Sequence, residues 1–278
     1  MIYLSDIEAK KILNLINSGN KNIISSIDLN ISKTNFVVED NFIVSGELRI
    51  PLESVVEISE SNERIFLIED KNIIPLEISG DNYFKLTPSE WGIPTVQISG
   101  IKMHRTKNID PWQDTLNKVH RIVRKNDFVL DTCSGLGYTA IEAINMGASK
   151  VFSIEREYRV HKLLRLNPWS QKFIQDENIF KIIGDSSIQV HLFKDELFNA
   201  IIHDPPRFSI AGDLYSGEFY RTLHRILKRN GKLFHYIGKP DSAFGKKMFK
   251  SIKKRLEDSG FAVKIEEKRY GITGRKIN

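Results

Sequence analysis

The sequence predicts an α/β fold: a parallel sheet with helices on both faces and an antiparallel C-terminal end, preceded by a small β-rich domain. Two observations predict it. From about Asp110-Pro111 onward, apolar β-branched runs alternate with amphipathic stretches, which implies strand–helix–strand units and a parallel sheet. Before that point, short β-rich runs follow one another, separated by Gly, Pro, Asn and Asp breaks. The 278 residues suit one large and one small domain, expected over 101–278 and 1–100.

The elements follow in order. A helix is expected over residues 6–16. Ile27, Leu29 and Ile31 then alternate with Asp28, Asn30 and Ser32, which reads as a strand. Further β-rich runs are 35–38, 41–44, 54–58, 65–68 and 73–78. In the larger domain, strands are expected at 128–130, 150–154, 179–183, 198–203 and 232–237. Helices are expected at 139–146, 158–166, through Val190, at 217–228 and at 244–258. Two last strands, about 263–268 and 271–276, are joined by a turn at Arg269-Tyr270-Gly271, hence the antiparallel end.

Composition narrows the function classes. Hydrophobic residues make up 41% and charged residues 27%, ordinary for a folded soluble chain. No apolar run approaches the roughly 20 residues of a membrane span, so no membrane partner is expected. Met1-Ile2-Tyr3-Leu4-Ser5-Asp6 lacks a basic segment leading into an apolar one, so no secretory signal is expected. Cys133 is the single cysteine, which excludes an internal disulfide and a cysteine metal cage. A reducing, cytoplasmic setting and no metal are expected. The net charge of +6 permits a polyanionic partner such as RNA without demanding one.

The strongest local pattern is Val129-Leu130-Asp131-Thr132-Cys133-Ser134-Gly135-Leu136-Gly137-Tyr138-Thr139-Ala140, a buried strand, a glycine turn and a helix start. Gly135 and Gly137 allow positive φ and close backbone approach, and the helix start offers free amides to a ligand. Two spaced glycines alone make an ordinary βα turn. Glu155 and Asp185 change that reading, because they end the second and third strands on the same edge. Glu155 can accept both hydroxyls of a ribose, and Asp185 can accept from an adenine amino group. Each acid by itself is more often a helix cap. Gly135, Gly137 and Ala140 also satisfy the dinucleotide fingerprint, so a nicotinamide oxidoreductase competes. Asp131, just before the turn, would repel a pyrophosphate but can pair with an amino-acid ammonium.

The fourth strand ends in His203-Asp204-Pro205-Pro206-Arg207-Phe208. Two prolines fix φ and remove two amide donors, leaving carbonyls free to accept. With the Asp204 carboxylate they are expected to form an acceptor cluster that holds an amine and directs its lone pair.

Together, Asp131, Gly135-Leu136-Gly137, Glu155, Asp185 and Asp204-Pro205-Pro206 resemble the class I, Rossmann-like methyltransferases that act on amino nitrogens. The resemblance implies S-adenosylmethionine as cofactor, held by Asp131, Cys133, Gly135, Gly137, Tyr138, Glu155, Gly184 and Asp185. It implies Asp204, Pro205 and Pro206 as the groups that orient the amine. That family places an aromatic directly after the two prolines; here Arg207 stands there, with Phe208 next, and one of the two would stack on a planar base. The segments Ile98 to Thr106, Asp110-Pro111-Trp112, Leu166 to Ser170, His203 to Ser209 and Leu233 to Tyr236 are similar to a group of archaeal methyltransferases. That narrower resemblance extends to the enzyme making N4,N4-dimethylcytidine in ribosomal RNA and implies a cytidine N4 acceptor.

Other residues admit both a functional and a plainer role. His104 and Arg105 are expected to reach substrate or phosphate, or to be a basic linker. Tyr236 is expected to line the acceptor pocket. Trp112 and Trp169 are stacking platforms or core, His203 a hydrogen-bonded core histidine, and Tyr215 part of a lid. The basic set on the last helix, among it Lys246, Lys250 and Lys253, is a solvated face or a phosphate patch. Two rival readings remain: a methyltransferase for a small-molecule or protein amine, and a non-catalytic RNA-binding protein that keeps the fold.

Overall fold

The computed structural model describes residues 1–70, 72–239 and 242–277. The chain forms two compact units, Met1–Pro111 with Lys162–Gln171, and Trp112–His161 with Lys172–Asn278.

The first unit is built from antiparallel strands and two helices. Strands Asn22–Ser25, Thr34–Glu39, Phe42–Ser45 and Leu48–Pro51 form a meander. Ile2–Ser5, Ile65–Glu69 and Asn72–Pro75 form a second sheet. Leu4, Ile12, Phe36, Ile43, Val55 and Ile58 fill the core between them.

Two expectations fail here for identifiable reasons. The strand expected over Ile27–Ile31 is a turn with Leu29 and Asn30 at φ 59° and 67°. Asn30 N–H donates to Ser26 Oγ at 2.8 Å and Ser32 N–H to Asp28 Oδ1 at 2.9 Å, so side chains replace ladder partners. The β-rich run 54–58 lies inside a helix, Leu52–Glu60, whose buried Ser54, Val55, Ile58 and Ser59 follow helical spacing. Six strands went unanticipated: Ile2–Ser5, Asn22–Ser25, Leu48–Pro51, Phe84–Thr87, Thr95–Ile98 and Ile101–Lys102. The last pairs with its predecessor, so the first unit continues past the expected boundary at residue 100. In the Lys162–Gln171 segment, the indole N–H of Trp169 donates to the Leu29 carbonyl at 2.8 Å, a structural role in place of a stacking one.

The second unit carries a seven-stranded sheet. Its strands are β1 (Phe128–Asp131), β2 (Lys150–Glu155), β3 (Ile179–Ile183), β4 (Phe198–His203), β5 (Leu227–Tyr236), β6 (Phe261–Glu266) and β7 (Gly271–Lys276). The order is β3-β2-β1-β4-β5-β7-β6. Neighbours among β1 to β5 are parallel, and β7 runs antiparallel to β5 and β6. This is a Rossmann-like sheet with the antiparallel C-terminal end that the sequence predicts. β5 starts inside the stretch read as helix, because Leu227 is drawn opposite Phe198 before the ladder resumes at Lys232 opposite Ala200.

The helices that matter below are α1 (Pro111–Val119), α2 (Tyr138–Asn145), α3 (Tyr158–Leu166), α4 (Ser186–Gln189), α5 (Gly217–Ile226) and α6 (Ala243–Asp258). Leu130, Ile201, Tyr220, Leu223, Leu233 and Leu256 sit in one buried cluster between sheet and helices. Phe152 stacks on Phe180 at 4.8 Å and meets Phe198 edge-on at 5.6 Å, which ties β2, β3 and β4. The chain lays β2 and β3 on one side of β1 and then returns to place β4 on the other. That reversal opens a crevice outside the carboxyl ends of β1 and β4. No helix among the described residues is long and apolar enough to cross a membrane.

Candidate active site

The crevice collects the acids that the sequence places at strand ends. Asp131 closes β1 and is fully buried. Its Oδ2 accepts from Thr139 Oγ1 at 3.0 Å and Ser153 Oγ at 2.8 Å. Its Oδ1 has no hydrogen-bond partner among the described residues, and neither does the buried Ser134 hydroxyl. A buried carboxylate oxygen left unmet is costly, which marks a place for a cationic or hydrogen-bonding ligand. Burial pushes the Asp131 carboxyl up to about 6.

The turn after β1 is built around Glu155. Its two oxygens accept from Gly135 N–H and Glu157 N–H, each at 2.8 Å. Burial still pushes this carboxyl up to about 7. Gly135 and Gly137 sit at φ 51° and 79°. A Cβ on Gly137 would lie 2.5 Å from the Phe173 ring, so glycine is required by both conformation and space. Gly137→Ala is therefore expected to cost about 2 kcal/mol or more of unfolding free energy. Urea unfolding checks it; a cost under about 0.5 kcal/mol would show that turn and ring relax freely.

The remaining cofactor candidates are less uniform. Asp185 caps α4 through Ser187 N–H at 2.9 Å and pairs with Arg156 at 3.2 Å, so both carboxylate oxygens are engaged. Gly184 leaves room for Gln189, whose amide would lie 2.8 Å from an added Cβ. Tyr138 is only 1% exposed and meets Trp112 edge-on at 5.7 Å, so its side chain belongs to the core and its backbone amide opens α2. Cys133 packs against the central cluster, and burial raises its thiol pKa well above the usual value.

At the end of β4, Asp204 meets a group that sequence reading missed. Lys118 Nζ lies 2.6 Å from Asp204 Oδ2 and 2.8 Å from Asp114 Oδ2. All three belong to the interior: Lys118 and Asp114 are buried, and the Asp204 side chain is 17% exposed. Burial alone would lower the lysine, but the two carboxylates hold its pKa above the ordinary value. For Asp204, burial raises the carboxyl and Lys118 opposes the rise. The ammonium also sits 4.5 Å from the centre of the Tyr236 ring, a cation–π contact. The available signal was Asp114 and Lys118 at helical i,i+4 spacing after a Pro at the helix start.

The proline carbonyls are not both free, contrary to expectation. The Tyr215 hydroxyl donates to the Pro206 carbonyl at 2.8 Å. Tyr215 is 2% exposed, so it braces the Asp-Pro-Pro turn and is no lid. Pro205 is buried, while Arg207 and Phe208 are exposed and Phe208 meets Tyr215 edge-on at 5.5 Å. His203 is the expected core histidine: its Nε2 faces the Leu214 carbonyl at 2.9 Å and its Nδ1 the Thr132 hydroxyl at 2.7 Å. Burial drives its pKa down to about 3, so the ring is neutral. His104 and Arg105 belong to the first unit, where His104 Nδ1 lies 2.8 Å from Thr95 Oγ1.

Comparison with known proteins agrees with this architecture. A crystal structure of spermidine synthase in complex with the transition-state analogue AdoDATO superposes with a TM-score of 0.60 at 20% identity, covering 72% of each chain. Spermidine synthase from Thermotoga maritima gives 0.58 at 17% identity, over 76% of this chain and 78% of that one. The family described as Conserved hypothetical protein 95 matches residues 109–235. The sequence is 40% identical over 287 residues to Uncharacterized protein MJ1233 of Methanocaldococcus jannaschii, covering 99% of this chain and 96% of that protein. The chain thus belongs to the family of MJ1233.

Proposed function

We propose that this chain is an S-adenosylmethionine-dependent N-methyltransferase acting on RNA, with N4 of a cytidine in ribosomal RNA as acceptor. One observation carries the reading: at the switch point of the sheet, a buried carboxylate with an unmet oxygen, Asp131, stands at the end of β1 beside Asp204 at the end of β4. The residues fit the cofactor. Asp131 Oδ1 would take its ammonium, the α2 amides its carboxylate, and Glu155 its ribose hydroxyls, with Asp185 at the adenine end. The cofactor supplies an electrophilic methyl on a sulfonium.

The chain's own residues then hold the acceptor. Lys118 favours the ionised form of Asp204 and fixes Oδ2, leaving Oδ1 outside that ion pair for an amine N–H. The Pro205 carbonyl can accept the second N–H, and Tyr215 keeps the turn rigid through Pro206. An amine anchored by its hydrogens presents its lone pair in a defined direction, and orientation of this kind lowers a transfer barrier by several kcal/mol. Arg207 and Phe208, exposed beside the turn, stack on the base. No strong base is required before attack.

Methyl transfer from labelled S-adenosylmethionine to an unmodified small-subunit ribosomal RNA transcript tests the reading, followed by nucleoside mass spectrometry. Label in N4-methylated cytidine is expected, reduced at least about 100-fold by Asp204→Ala. No transfer by the wild type, or equal transfer by the variant, overturns it. Label in protein or a small amine instead would replace RNA as the acceptor class.

A further inference from the structure

A strongly basic surface lies outside the candidate active site. A cleft of about 380 Å³ opens on the sheet face formed by β5, β7 and β6. Arg121, Arg124, Lys232, Lys264 and Arg275 line it, with no acid among its lining residues. Its floor is Ala262, Val263, Thr273 and Gly274, small side chains that leave the backbone approachable. Lys232 and Arg275 stand directly opposite each other in the β5–β7 ladder. Like charges in that position destabilise a sheet unless an anion bridges them.

A second cleft, of about 270 Å³, shares Arg121 with the first and runs along α1 past His120, Asn117 and Gln113, with Arg269 on its other side. Acids already meet part of this region: Arg121, Lys264 and Arg269 pair with Glu266, and His120 lies 2.6 Å from Glu142. The single helix α1 therefore has two sides. Asp114 and Lys118 hold Asp204, while Gln113 and Asn117, with His120 and Arg121 just past the helix end, line the second cleft.

We propose that the cleft on β5, β7 and β6, continued along α1, binds the sugar–phosphate backbone of single-stranded RNA flanking the nucleotide held at Asp204. The inference rests on the RNA reading and extends it to a site. Separated cations over small side chains suit a chain of phosphates, and the second cleft runs beside α1, whose Lys118 holds Asp204. Specificity for the base would remain with the Asp-Pro-Pro turn, since phosphate contacts set register and carry no sequence information.

The test is the salt dependence of binding of an unmodified small-subunit ribosomal RNA transcript by the whole chain and by Lys232→Gln/Arg275→Gln. Each lost phosphate contact lowers the slope of log affinity against log salt by about 0.7 for single strands, so a drop of about 1.4 is expected. Affinity for S-adenosylmethionine should be the same in both proteins. Parallel salt plots with equal affinity overturn the cleft and leave the RNA reading standing. No RNA binding by the wild type at low salt overturns both.

Discussion

Lys118→Met is expected to destabilise the second unit by about 3–5 kcal/mol, because it leaves Asp114 and Asp204 facing each other without the ammonium between them. Methionine nearly fills the lysine's volume, so loss of packing contributes little and loss of the buried charge dominates. Urea unfolding of the whole chain measures the change. The same substitution should remove transfer even where the fold survives. Burial already raises the Asp204 carboxyl against the pull of Lys118. Without that pull burial raises it further and favours the protonated form, and a protonated carboxyl presents one acceptor oxygen fewer to an amine. Asp114→Asn provides the contrast. It removes one of the two carboxylates and leaves Lys118 paired with Asp204, so transfer should fall much less. If Lys118→Met were as stable as wild type, the ion pair would have no energetic role.

Asp131→Ala is expected to weaken S-adenosylmethionine binding by about 100-fold or more, since truncating one partner of a buried, hydrogen-bonded charge pair costs 2–5 kcal/mol. Calorimetric titration measures it. The wild type adds a pH signature with two opposite signs. Binding the ammonium requires the Asp131 carboxylate, whose pKa is about 6 in the free protein. Affinity should therefore rise about tenfold between pH 5 and pH 7. Stability of the free protein moves the other way. Asp131 at about 6 and Glu155 at about 7 both lie above their unfolded values near 4. The native state thus holds protons that the unfolded chain releases. Their contribution is fully present below about pH 4 and is lost as pH rises through 6 to 7. Affinity that stays flat from pH 5 to pH 7 would remove Asp131 from the cofactor site.

The order of strands and helices in the second unit was legible because parallel strands are buried on both faces and read as continuous apolar runs. Val129-Leu130, Val151 to Ile154 and Ala200 to Ile202 each end in a polar residue, and that end is where an α/β sheet binds its ligand. The acids Asp131, Glu155 and Asp204 stood out for that reason. The first unit was harder to read. Short antiparallel strands carry weak patterns, and Val55 and Ile58 within a β-branched stretch concealed helical spacing. The turn at Ser26 to Ser32 mimicked alternation, although its hydroxyls and carboxylate close the backbone locally.

The glycine turn, the strand-end acids and the sheet with its antiparallel end were determined by the sequence alone, because local backbone preference and burial period are written residue by residue. The ion pair of Lys118 with Asp204 joins positions 86 residues apart. The brace of Tyr215 on Pro206 and the helical fate of residues 52–60 were likewise decided only in three dimensions. Each depends on which partners a long-range fold brings within about 3 Å, and an ammonium or a hydroxyl carries no mark in the sequence of the group it will meet.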